Sequence, residues 1–216
     1  YVKEVLAMPS DPIQPSFIAA DKDYAVSEVV PGVTLYRAEN PINDLFLLRI
    51  RVDNGVRHNN TLRIAAQLLE KSGTDTMDAS TLQQAWYKLG SDFSVSVSTD
   101  YTEFQLRGLD KNFTKSLEMM TQAIEKAKVS EETTQQMLGI WIGSRTDRRV
   151  DQRQIISALA NKGMYGPESS FLKTLTDADA QKLKGEDLLS SLGKLLQSEA
   201  TVSYTGKLTQ QEVAST

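Results

Sequence analysis

The chain has 216 residues, 40% hydrophobic and 24% charged, the composition of a globular domain with a sizeable core. Lys and Arg number 24 against 28 Asp and Glu, a net charge of −4, which makes no field suited to nucleic acid or another polyanion. There is no cysteine and one histidine, His58, so disulfides, thiolate nucleophiles, Cys-ligated zinc and histidine-rich chemistry are all excluded.

No apolar run approaches the roughly 20 residues that span a bilayer, and no membrane span is expected. Tyr1 stands first with no basic-then-apolar leader after it, as expected of a piece of a longer chain.

Pro9, Pro12 and Pro15 disfavour helix and sheet alike, so residues 1–30 are read as a Pro-rich connector and residues 31–216 as one domain. Order is expected to begin at Val33, with a strand over 33–38 and a turn over 40–44. A second strand over 45–52 sets Phe46, Leu48, Ile50 and Val52 on one face and Arg49 and Arg51 on the other. Leu62, Ala65, Ala66 and Leu69 then repeat at helical spacing, with Gly73 as the expected stop. Ser80 is the expected cap of a helix bearing Leu82, Ala85, Trp86 and Leu89, which Gly90 ends.

Phe93, Val95 and Val97 alternate with serines, and Thr99-Asp100 leads into a partner strand carrying Phe104 and Leu106 inward. The pair predicts a β-hairpin with one wet face. Asp110 is the expected cap of a helix whose stripe is Phe113, Leu117, Met120 and Ile124. Ser130, followed by two glutamates, opens a long helix on which Met137, Ile140 and Trp141 are read as core. A helix over 154–164 breaks at Gly166-Pro167, short helices follow over 177–183 and 186–196, and residues 201–205 close as a strand. The order is that of an α+β domain, an antiparallel-rich sheet with helices packed on one face.

Several stretches resemble one half of the pitrilysin/insulinase-type zinc metallopeptidases, the half-domain fold shared with mitochondrial processing peptidase. The most specific are residues 65–71 (Ala-Ala-Gln-Leu-Leu-Glu-Lys), Gly73-Thr74, the helix end Lys88-Leu89-Gly90, the hairpin 93–108 and residues 110–117 (Asp-Lys-Asn-Phe-Thr-Lys-Ser-Leu). Residues 163–167 (Gly-Met-Tyr-Gly-Pro) and 202–206 (Val-Ser-Tyr-Thr-Gly) are similar to a later loop and the final strand. The likeness spans most of residues 25–210.

Active members carry His-x-x-Glu-His on the first helix, two zinc-ligating histidines with a glutamate as general base. The aligned residues here are Gln67, Leu68, Leu69, Glu70 and Lys71, so the glutamate is present and both histidines are replaced. A further zinc-ligating glutamate would fall on the helix after Ser130, where Gln135, Gln136 and Arg145 stand. Zinc catalysis needs about three protein ligands, and no catalytic, cofactor-binding or metal residue is assigned to this chain. The resemblance implies an inactive half that encloses a peptide substrate against a homologous, zinc-bearing half or subunit. It also implies a connector at residues 1–30, a further similar domain beyond Thr216, and a bacterial extracytoplasmic setting. Two alternatives are a catalytically dead structural or binding core subunit of the same fold and an unrelated hydrolase.

The remaining features have plainer readings. Glu70 is read as a solvated helix residue and His58 as a loop residue. Arg145, Arg148, Arg149 and Arg153, interleaved with Asp147 and Asp151, read as a salt-bridged helix surface. Arg49 and Arg51 read as a solvated sheet face. Ser170 and Lys173 match Ser-x-x-Lys only in letters, in an expected loop. The sequons at Asn59 and Asn112 are chance-level signals.

Overall fold

In the computed structural model, residues 2–6, 8 and 14–216 are described; Pro9 and Pro12 of the expected connector lie outside them. A short helix, α1 (Val2–Leu6), lies near the start of the chain. Order then starts earlier than Val33. Strand β1 (Ala25–Val30) pairs antiparallel with β2 (Val33–Glu39) across a turn at Pro31-Gly32. Proline fixes φ at the first turn position, and Gly32 takes φ +82° at the second, which an L side chain resists. That dipeptide is a hairpin signal inside the stretch expected to hold connector followed by a first strand.

Four more strands complete a six-stranded sheet: β3 (Leu45–Val52), β4 (Ser91–Val97), β5 (Thr102–Leu109) and β6 (Ala200–Gly206). Their order is β1-β2-β6-β3-β5-β4, and every neighbouring pair is antiparallel except β2 with β6. Alternation sorts the side chains cleanly. Leu35, Phe46, Leu48, Val52, Phe104, Leu106 and Tyr204 are buried on one face, and the polar residues between them stay on the other.

The covered face meets α2 (Leu62–Leu69), α3 (Ala79–Leu89), α4 (Phe113–Glu125) and α8 (Gly185–Leu195). Leu62, Ile64 and Leu68 of α2, Phe113, Met120 and Ile124 of α4 and Leu188 and Leu192 of α8 join the sheet residues in one core. Full burial of each such side chain contributes roughly 1.5–3 kcal/mol. The α5 (Glu131–Val150) and α6 (Gln152–Tyr165) helices follow in sequence, with Leu138 of α5 in the core and no residue of α6 buried. Two short helices, α7 (Asp177–Ala180) and α9 (Gln210–Ala214), flank α8 and β6 in sequence. The result is an α+β domain with helices on one face of an antiparallel-rich sheet, as expected.

Four local expectations are corrected. Helix α2 ends at Leu69, and the Ser72 hydroxyl donates to the Leu69 carbonyl there at 2.8 Å; Gly73 instead exchanges backbone hydrogen bonds with Lys128 at 2.9 Å. The cap of α3 is Asp78, which accepts from the Thr81 N–H at 2.6 Å. Asp110 caps nothing: it begins a short 3-10 turn and its carboxylate faces Tyr204. Ile140 is 73% exposed, whereas Met137 and Trp141, on the inner side of α5, pack against the core.

Candidate functional site

The five residues aligned with the zinc motif straddle the end of α2. Leu68 and Leu69 point into the core, while Gln67, Glu70 and Lys71 are exposed. Glu70 is the C-cap, and the Lys71 N–H reaches the Leu68 carbonyl in a tightened last turn at 3.0 Å. The first ligand position is therefore on the helix and the second lies beyond its end. Two ligands four residues apart share a face only while the helix continues.

The donor set fails as well. A neutral amide at 67 and an ammonium at 71 do not fit a zinc ion, and the ammonium repels one. Among the described residues the side chains of Gln67, Glu70 and Lys71 make no hydrogen bond or ion pair, and no three His, Asp or Glu residues converge as a metal-sized group. On α5, Gln135 and Gln136 are bonded to Glu131 and Glu132 one turn earlier, and Arg145 lies at the opposite end of the helix.

The other singled-out residues have structural partners. His58 is exposed in a turn held by its own backbone bond to Gly55. The Lys173 ammonium pairs with Glu168, and the Ser170 hydroxyl lies nearest Asn161 at 3.4 Å, so serine and lysine do not form a catalytic pair. Asn112 donates to the Leu89 carbonyl, tying the start of α4 to the end of α3, and Asn59 accepts from the Thr61 N–H in a local turn.

Strand register builds the open sheet face. Tyr36, Ser203, Arg49, Gln105 and Ser94 form one row across five strands; Thr201, Arg51, Glu103 and Ser96 form the next. Arg49 donates to Gln105 at 3.2 Å and pairs with Glu103 at 3.7 Å. Arg107 pairs with Asp92 at 3.0 Å, and the Arg51 guanidinium sits 3.9 Å over the Tyr101 ring while meeting Asp53 at 3.2 Å. The surface is hydroxyl-rich, its arginines are paired with neighbouring groups, and Leu45 and Tyr36 add exposed apolar area to it.

The arginines of α5 are organised by a different acid from the one expected. Arg145 and Arg149 both engage Asp177, at 2.9 and 3.3 Å. Asp151 instead accepts from the N–H groups of Arg153 and Gln154 as the cap of α6. A carboxylate distant in sequence outcompetes the interleaved ones because it approaches from α7, across the face of α5. Sequence spacing carries no sign of that contact.

The family model for insulinase, peptidase family M16, matches residues 39–167. None of the curated proteins compared matches the chain. Among solved structures, the peptidase M16 inactive domain from Pseudomonas fluorescens superposes with a TM-score of 0.74 at 14% identity, over 89% of this chain and 48% of that one. The periplasmic protease PqqL from Escherichia coli gives 0.73 at 13% identity, over 99% of this chain and 26% of that one. A protease from Helicobacter pylori gives 0.69 at 15% identity, over 88% and 48%. The chain thus spans about half or a quarter of the length of these structures, and at such identities the likeness is one of fold. Fold, order of elements and a family match across more than half of the sequence agree: the chain belongs to the insulinase family, peptidase family M16.

Proposed function

We propose that this chain is a non-catalytic domain of a zinc endopeptidase, enclosing a peptide against a homologous half or subunit that carries the zinc. The observation that supports it most is the end of α2, where Gln67 and Lys71 occupy the ligand positions and Lys71 stands beyond the helix. The open sheet face supplies a broad wall of hydroxyls and arginine–carboxylate pairs, able to hydrogen-bond a peptide backbone without demanding a side-chain sequence. A bacterial extracytoplasmic location is part of this reading, supported by the PqqL likeness. The test is peptide cleavage by the full-length parent with its partner present: zinc-dependent turnover is expected, and its absence would remove the reading.

A second reading is a catalytically dead core subunit of the same fold. The pairing of Arg49 with Glu103 and of Arg107 with Asp92 favours it, because these groups already satisfy one another. A His-x-x-Glu-His sequence elsewhere in the parent would argue against it.

A further inference from the structure

A groove of about 570 Å³ opens between α5, α6 and residues 169–174, and none of residues 67–71 lines it. Its floor is apolar: Ile155 and Leu159, one turn apart on α6, are 43% and 67% exposed, and Phe171 and Leu172 face them at 41% and 54%. Its charged lining residues are all basic, and among the described residues no carboxylate lines it. Asp177 engages Arg145 and Arg149. The other two cations are left over: among the described residues Arg148 bonds only the Ser144 hydroxyl of its own helix, at 3.2 Å, and Lys162 has no ion-pair partner.

An exposed apolar floor rimmed by unneutralised cations is complementary to a surface that carries both apolar side chains and carboxylates. The floor is ridged at helical spacing, with Ile155 and Leu159 in one row and Ala158 and Lys162 in the next. A second helix fits such rows by placing its own apolar side chains at spacings of three and four. A flat lipid surface fits a concave groove poorly, and a free phosphate leaves the apolar floor uncovered.

We propose that this groove seats an acidic amphipathic helix of the partner half. The inference rests on the reading that such a half exists, and it names the surface through which the two halves join.

The test uses three labelled helical peptides of about 18 residues, long enough to hold a helix, built from Leu with Glu, Gln or Lys, titrated into the 216-residue chain by fluorescence anisotropy. The Glu/Leu helix is expected to bind about tenfold more tightly than the Gln/Leu helix, as two well-placed exposed ion pairs provide. The Lys/Leu helix is expected to bind least. Arg148 and Lys162 are exposed, so the R148E/K162E variant keeps its fold, checked by circular dichroism, and is expected to reverse the preference; L159D is expected to weaken all three. Equal binding of the Glu and Lys helices, or no reversal in the variant, overturns the proposal. So does equal binding of a Glu/Leu peptide interrupted by proline, which points to an extended chain, or preferential sedimentation with phosphatidylglycerol vesicles. None of these measurements involves zinc: their failure leaves the peptidase reading standing, and loss of zinc-dependent cleavage in the parent removes that reading separately.

Discussion

The Tyr204 hydroxyl donates to Asp110 Oδ1 across 2.7 Å, inside the core and 94 residues apart in sequence. The same oxygen accepts the Lys207 N–H at 3.1 Å, and the Tyr204 ring lies against Phe113 and Phe46, at 5.2 and 6.4 Å between centroids. One carboxylate thus ties the closing strand to the lead-in of α4 and orders the chain after it. Tyr204→Phe keeps the ring and removes the donor, leaving a buried acceptor short of a partner. A loss of about 1–3 kcal/mol is expected, read as a lower urea midpoint with an unchanged slope.

The same pair sets an alkaline limit. Burial first, and then the bond to Asp110, hold the Tyr204 hydroxyl well above its ordinary pKa. In the unfolded chain that hydroxyl ionises near pH 10, whereas the folded chain keeps its proton. The stabilisation is therefore complete below about pH 10 and falls as pH rises beyond it. Denaturant midpoints measured from pH 8 to pH 11 are expected to drop more steeply in the wild type than in Y204F.

Gly206 lies under this pair. A Cβ there would stand 2.2 Å from the Tyr204 hydroxyl and 2.6 Å from Asp110 Oδ1, so Gly206→Ala is expected to destabilise by about 1–3 kcal/mol, as overpacking does. Gly143, inside α5, meets nothing within 4 Å. Gly143→Ala is expected to raise stability by about 0.5–1 kcal/mol through helix propensity. Thermal melts of the two variants should move in opposite directions.

On the open sheet face, stability and function should separate. The Arg107–Asp92 pair is more than half exposed on both sides, so Arg107→Ala should change stability by less than about 1 kcal/mol. If this face contacts peptide, R49A/R107A in the assembled parent should raise KM for peptide cleavage without unfolding the domain. An unchanged KM would show that this face does not contact the peptide.

Most of the architecture was legible because alternation and helical spacing are local signals. Strand β3 matches its expected bounds, the hairpin of β4 and β5 spans 91–109 around the expected 93–108, and the Phe113–Met120–Ile124 stripe is core. Strand β1 falls inside the stretch read as a connector, because Pro15 and the two prolines before it mask the hairpin signal of Pro31-Gly32. The role of Asp110 was hidden for a different reason: an aspartate before a helix looks like a cap whatever it bonds. Its partners Tyr204 and Lys207 lie far away in sequence. At the candidate site, the loss of both zinc histidines was visible in Gln67 and Lys71. That α2 stops before Lys71 was not, because Ser72 rather than Gly73 closes the helix end.

The metal-binding capacity of the chain itself tests the non-catalytic reading most directly. Calorimetric titration of zinc into the chelator-stripped chain at neutral pH is expected to show no one-to-one binding at micromolar protein. Tight stoichiometric binding would contradict it, placing a zinc site on this chain and returning the catalytic role to it.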